Sequence, residues 1–327
     1  MKLAIVTPVL DDWASCRMLL GRLDALDLPG VQTLRVLVVN DGSVSAVPGD
    51  LCAEISHGRI GAVDVLDLGC NVGHQRAIAL GIAAIAADDA GESVVVMDCD
   101  GEDDPADVPR LLAALTAQPE ALVVAMRAHR SEGAVFRAGY FAYQWLFRVT
   151  VGRRMDYGNF CAFGPSAAAR LARMPDIWNH LAAATMRSRL PIRRIETTRA
   201  SRFAGRSTMN GAALIAHGLS AFAVFSEQVF ARLLLFSSGL AGIAVVGILI
   251  VLAIRFGTSL AIPGWATIAI AALGILLMQA ILLSLVASVQ LLATRNQPGA
   301  VPLALLATYV RRTLHLLPIT KQAIHAV

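Results

Sequence analysis

Short apolar runs that end in polar residues alternate with segments of helical spacing through the first 126 residues. Residues 3–9, 34–39, 63–68, 94–97 and 121–126 are rich in Val, Ile, Leu and Ala and have strand length. Near-continuous apolar runs of this kind are the mark of strands buried on both faces. Between them, residues 11–26, 74–87 and 106–115 read as helices. In the first, Cys16, Leu19, Leu20, Leu23 and Leu26 fall on one face. Regular alternation of strand and helix predicts an α/β fold, a doubly wound and mostly parallel sheet. Ligands in such sheets sit beyond the carboxyl ends of the strands. The polar residues collect there: Asp11 and Asp12, then Asp41, then Asn71 and His74, then an acidic run from Asp98.

The pattern changes after residue 232. Residues 233–254 carry no charge, and neither do 265–293. About 20 apolar residues cross a bilayer, so these read as two transmembrane helices joined by a turn that holds Pro263 and Gly264. Residues 211–230, mostly apolar, read as a helix along the interface. The expected organisation is a globular domain over 1–210, a juxtamembrane segment over 211–231, a hairpin over 232–294 and a basic tail over 295–327. With 56% hydrophobic and 16% charged residues, the chain is more apolar than a soluble globular protein.

Charge refines this picture. The net charge of +4 hides a split, because every Asp and Glu lies at or before Glu227. The first 227 residues sum to −2 and the remainder to +6. Arg232, Arg295, Arg311, Arg312 and Lys321 flank the hairpin on one side, with Arg255 alone at the far turn. That bias places the globular domain and the tail in the cytoplasm and offers cations to anionic headgroups. Lys2 leads directly into a strand, unlike a signal peptide. The slightly acidic globular domain argues against nucleic acid as a partner. Cys16, Cys52, Cys70, Cys99 and Cys161 are dispersed without a CxxC pair, which argues for reduced thiols and against a zinc site.

The candidate chemistry lies where 94–97 runs into Asp98-Cys99-Asp100-Gly101-Glu102. Successive strand residues face opposite ways, so Asp98, Asp100 and Glu102 can converge at the strand end. Hard oxygen donors at that spacing suit Mg²⁺ or Mn²⁺ bridging a diphosphate; a solvated acidic loop has the same pattern. No GxGxxG or Walker loop is present, which weighs against a dehydrogenase or an ATPase. Residues 127–154 bring six arginines among aromatics, a composition that fits either a bilayer interface or an amphipathic helix on the sheet. Arg199, Arg202 and Arg206 follow later, and guanidinium groups near a membrane suit a lipid phosphate.

Four motifs in order then resemble the family 2 inverting glycosyltransferases. They are Pro8-Val9-Leu10-Asp11-Asp12, Asn40-Asp41-Gly42-Ser43, Asn71-Val72-Gly73-His74 and Asp98-Cys99-Asp100-Gly101-Glu102-Asp103-Asp104-Pro105. Within that family the chain is similar to the polyprenyl-phosphate glycosyltransferases related to dolichol-phosphate mannose synthase, in the bacterial branch with two C-terminal membrane helices. The resemblance implies a GT-A-like nucleotide-sugar fold at the cytoplasmic face of a bacterial inner membrane. It implies metal-dependent, inverting transfer of a sugar from a UDP- or GDP-sugar to undecaprenyl phosphate. Pro8, Asp12 and Asp41 would then hold base and ribose with Asp98, while Asp98, Asp100 and Glu102 hold Mg²⁺ or Mn²⁺. Arg127, Arg137 and Arg202 would take the acceptor phosphate, and Asp156 would stand with Asp100 at the reacting centre. The membrane-anchored relatives also point to a homo-oligomer, with a tetramer as the candidate. Asp11 and Asn40 depart from the family's usual Asn and Asp, Glu102 replaces Gln, and the basic stretch after the last helix is barely recognisable. Competing readings are a processive polysaccharide synthase, a nucleotidyltransferase, and a non-catalytic membrane protein that binds nucleotide sugar or lipid beside a flippase.

Overall fold

The computed structural model describes residues 1–127, 134–198, 200–204, 211–258, 264–296 and 299–317. They form two compact units. One comprises Met1–Ala138, Met155–Val224 and the chain from Gly299 onward; the other comprises Gly139–Arg154 and Phe225–Pro298.

The first unit is built on an eight-stranded sheet. Its strands are β1 (Lys2–Val9), β2 (Thr33–Asn40), β3 (Ile60–Leu68), β4 (Ser93–Val96), β5 (Leu122–Arg127), β6 (Cys161–Phe163), β7 (Ile192–Thr197) and β8 (Val310–Leu317), in the spatial order β7-β5-β6-β4-β1-β2-β3-β8. The pairs among β4, β1, β2 and β3 are parallel, as is β5 with β7, whereas β6 and β8 run antiparallel to their neighbours. The expected mostly parallel α/β sheet is therefore present.

Both faces of the central strands are covered, as their unbroken apolar runs require. Leu3, Ile5 and Val9 of β1 join one buried cluster with Cys16, Leu19, Leu20 and Leu23 of α1 (Trp13–Asp24) and Leu111 and Leu115 of α3 (Val108–Ala117). On the opposite face α2 (His74–Asp88) lies against β1 and β2. Gly81 makes that approach possible, because a Cβ there would come within 2.5 Å of Val6 Cγ1 and 2.8 Å of Val39 Cγ2. Further along are α5 (Pro165–Ala172), α6 (Leu181–Arg187) and α7 (Gly211–Val224).

The stretch expected as a basic tail is instead partly structured. After Gly299 the chain forms α10 (Pro302–Tyr309), whose Tyr309 ring lies 5.3 Å from that of Trp178, and then β8, which closes the β3 edge. Leu314, Leu316 and Leu317 pack against the buried cluster. Arg312 and His315 reach Asp67 at 2.9 Å and Asp64 at 2.6 Å. Arg312 thus meets a carboxylate of the sheet, where the sequence pattern had assigned it to headgroups. Residues 318–327 lie outside the described set.

The second unit holds two long helices, α8 (Ser226–Gly257) and α9 (Trp265–Asn296), with most of α4 (Ala134–Val151). Each long helix has an apolar window of mean hydropathy 2.5, of which only 17% and 6% is buried. Both are long and apolar enough to cross a membrane. They pack through small residues: Gly247 lies under Leu273, and Ser237 and Ser284 exchange a hydrogen bond at 2.7 Å. Such close approach and interhelical hydroxyl bonding hold helices together in lipid. The juxtamembrane segment is α7 followed at once by the start of α8.

Candidate active site

Four parallel strands end on one side of the sheet, and the loops that follow them are tied together by side chains. Asp11, at φ +55°, takes the N–H of Ser45 at 2.9 Å, while its own N–H donates to Ser43 Oγ at 2.9 Å. Asp12 caps α1 through the N–H of Ser15. Asp41, only 3% exposed, accepts the N–H groups of Val72 at 2.7 Å and Gly73 at 3.1 Å. These carboxylates fix the loops after β1, β2 and β3 against one another. Pro8 is buried in β1, opposite Val39.

The fourth loop carries the acids. Asp103 accepts the Asp98 N–H at 3.1 Å, and Asp104 caps the short 3-10 turn at Pro105–Asp107. Those two residues shape the loop and leave Asp98, Asp100 and Glu102 as its candidates for chemistry. Asp98 lies 3.3 Å from His74 Nε2 at the start of α2. Asp100 accepts the Glu102 N–H at 2.9 Å on one oxygen and pairs with Arg202 Nη2 through the other. Arg202 Nε also reaches Glu102 at 3.1 Å. The backbone repeats the connection: Phe203 N–H donates to Asp100 O at 2.8 Å and Ala200 N–H to Glu102 O at 3.2 Å. Gly101, at φ +89°, lets the Phe203 ring rest where a Cβ would stand, 2.6 Å away. Arg22 covers that ring at 4.6 Å.

The electrostatics follow from this crowding. Burial pushes the Asp100 carboxyl above its ordinary range, and Asp98 and Glu102 add to the push against the opposing Arg202. Burial also raises Asp41 against the N–H groups it accepts. Burial works against a charged His74, yet the carboxylates of Asp98, Asp41 and Asp100 raise it above its usual value. A cation is welcome at such a place.

Asp156 lies on the segment that enters β6. Its carboxylate meets Arg194 Nε at 3.3 Å, and the same guanidinium stands 5.9 Å over the Tyr157 ring. Three residues on, Asn159 bonds His74 Nε2 at 3.1 Å and Gln75 Nε2 at 3.1 Å. The Asp156 segment is thereby joined to the imidazole that faces Asp98. Of the three arginines expected at an acceptor phosphate, Arg202 is placed on the acids. Arg127 ends β5 and Arg137 lies in α4, with side chains outside the described residues.

Among the described residues no group of three or more His, Cys, Asp or Glu is arranged to hold a metal ion. Asp98 and Asp100 nonetheless fit Mg²⁺ or Mn²⁺ on a diphosphate, since such ions are commonly held by one or two carboxylates plus phosphate oxygens. His74, Asn159 and Arg194 were not assigned roles from sequence. His74 carried a signal, following a Gly at a helix start, but a lone imidazole there is ordinary. The Arg194–Asp156 pair spans 38 positions and leaves no local pattern.

Residues 16–176 match the family model described as Glycosyl transferase family 2. The chain is 27% identical over 161 residues to dodecaprenyl-phosphate galacturonate synthase of Rhizobium johnstonii, covering 48% of this chain and 46% of that protein. It is 30% identical over 159 residues to undecaprenyl-phosphate 4-deoxy-4-formamido-L-arabinose transferase of Erwinia tasmaniensis, covering 48% and 47%. The matched stretch therefore spans about half the length of these curated relatives. Among solved structures, glucosyl-3-phosphoglycerate synthase from Mycobacterium tuberculosis, in complex with Mn²⁺, UDP-glucose and phosphoglyceric acid, superposes with a TM-score of 0.47 at 17% identity, over 70% of this chain and 79% of that one.

Proposed function

We propose, from the premise that residues 16–176 are a Glycosyl transferase family 2 domain, that the protein transfers a sugar from a nucleotide-sugar to a polyprenyl phosphate such as undecaprenyl phosphate. The observation that carries this reading is the acid pair Asp98 and Asp100 at the end of β4, faced by His74 and Arg202. The two named relatives above carry dodecaprenyl phosphate and undecaprenyl phosphate in their names, and two helices able to cross a membrane follow the domain. The chain leaves the first unit at Val224 and returns to it at Gly299. An even number of crossings satisfies that return. With the basic bias of the flanks, it supports a catalytic domain on the cytoplasmic side of a bacterial inner membrane.

The nucleophile in this scheme is a lipid phosphate oxygen, which is ionised at neutral pH. Alignment and exclusion of water therefore matter more than a general base. The oxygen attacks the anomeric carbon while the bond to the nucleoside diphosphate breaks, so the product is inverted. Asp98 and Asp100 would hold Mg²⁺ or Mn²⁺, which supplies neutralisation of the leaving diphosphate, while Glu102, expected from the sequence as a third ligand, pairs with Arg202. Pro8, Asp12 and Asp41 border the place for base and ribose. Asp156, steadied by Arg194, orients the sugar. Arg127, Arg137 and Arg202 receive the acceptor phosphate, and Arg202 would leave its pairing with Asp100 and Glu102 to do so.

A donor panel tests the reading. The full chain in lipid nanodiscs with undecaprenyl phosphate and Mg²⁺ should release labelled UDP or GDP from at least one nucleotide-sugar, and chelation should stop it. Release of pyrophosphate would favour a nucleotidyltransferase instead. Absence of release across the panel would favour a binding protein.

A further inference from the structure

The strand that follows the membrane-hairpin segment reaches the 40–43 turn through a line of hydrogen-bonded polar groups with Asp67 and Asn40 buried at its centre. Arg312 Nε of β8 donates to Asp67 Oδ2 at 2.9 Å. Asp67 Oδ1, on β3, accepts Asn40 Nδ2 at 2.7 Å. Asn40 Oδ1 accepts the Ser43 N–H at 3.1 Å, and Ser43 Oγ accepts the Asp11 N–H at 2.9 Å. Asn40 and Asp67 are 4% and 7% exposed, so the bond between them forms where water does not compete. Alongside, Gly69 N–H donates to Tyr309 O at 2.9 Å, so residues 309–312 run directly beside 67–69.

The residue types are dictated by this line. Position 40 needs one donor and one acceptor on the same side chain, which an amide has and a carboxylate lacks. An Asp there would set two carboxylates against each other across the Asn40–Asp67 contact. Asp67 in turn is a buried charge that needs a cation, and Arg312 provides it.

We propose that Arg312 is a positioning residue for donor binding: acting through Asp67 and Asn40, it holds the 40–43 turn in the shape that receives the nucleotide. This rests on the reading above that the turn borders the nucleotide. It gives the post-hairpin strand a task at the active site beyond closing a sheet edge.

The test uses the full chain in nanodiscs with Mg²⁺ and, as probes, UDP and GDP, with affinity read by calorimetry. Arg312→Met and Asn40→Asp should each weaken the nucleotide that the unaltered chain binds by about tenfold, the scale of one charge-assisted hydrogen bond. Asn40→Asp combined with Asp67→Asn exchanges amide and carboxylate and keeps every bond in the line. It should bring affinity back to within about threefold of the unaltered chain. The Michaelis constant for undecaprenyl phosphate should stay within about twofold in Arg312→Met. That side chain is half-exposed, so its variant decides alone where a buried variant does not fold. Unaltered affinity in Arg312→Met, or a folded exchange variant no better than Asn40→Asp, overturns the proposal while leaving the donor reading intact. An unaltered chain that binds neither nucleotide overturns the donor reading and this proposal with it.

Discussion

Asp24 collects the N–H groups of Ser56, His57, Gly58, Arg59 and Ile60 on its two oxygens, with the side chain fully buried. Burial pushes its carboxyl up, but the backbone donors outweigh burial and hold it below the usual range. Asp24→Ala would orphan donors in the loop before β3 and should cost about 3 kcal/mol, read from thermal or denaturant unfolding. A carboxyl held low in the folded state contributes stability that is present above its unfolded value of about 4 and is lost as pH falls through the folded value. The stability gap between the unaltered chain and Asp24→Asn should therefore close on acidification below about pH 4. Gly101 is the corresponding residue at the site. A Cβ there strikes the Phe203 ring and opposes φ +89°, so Gly101→Ala should displace the bridge between 100–102 and 200–203. Turnover should fall by at least about tenfold, with a melting temperature lowered by only a few degrees. An unchanged rate would show that the bridge does not shape the acids.

Among the elements, α2 shows how a helix is positioned by what it lacks. Alanine is the better helix former by about 1 kcal/mol. Yet Gly81→Ala should destabilise the protein by about 1–3 kcal/mol, because Val6 and Val39 leave no room and cannot rotate away. A rise in melting temperature would mean that the helix can lift off the sheet. The parallel strands β1 to β4 and helices α1 to α3 were legible in the sequence, because strands buried on both faces and helices of regular spacing announce themselves. The short antiparallel β6 was not, since three residues carry no period. Nor was β8, whose arginines and histidine read as a basic tail. Edge strands carry such charges as a rule, and here they meet Asp64 and Asp67, which are distant in sequence. The same holds at the site. Asp98 and Asp100 could be found because an acidic run directly after an apolar strand is a local pattern, whereas the hold of Arg202 on Asp100 and Glu102, about 100 positions away, could not.

For the molecule as a whole, the charge split and the two long helices make one statement about orientation. Cys70 is the exposed thiol among the five cysteines and lies in the first unit. Arg255 sits near the far end of α8. In intact spheroplasts a membrane-impermeant maleimide should label an Arg255→Cys variant and spare Cys70, and in inverted vesicles the pattern should reverse. Labelling of Cys70 in intact cells would place the first unit outside and contradict the proposed use of cytoplasmic nucleotide sugars. The central claim, that the acids ending β4 carry sugar transfer to a lipid phosphate, is met most directly by one assay. The full chain and its Asp100→Ala variant are given the preferred labelled nucleotide-sugar and undecaprenyl phosphate in nanodiscs, and the anomeric configuration of the lipid-linked product is determined. The account expects an inverted anomer from the unaltered chain and a loss of at least about a thousandfold in the folded variant. A retained anomer, or an Asp100→Ala variant that turns over at the unaltered rate, would contradict it.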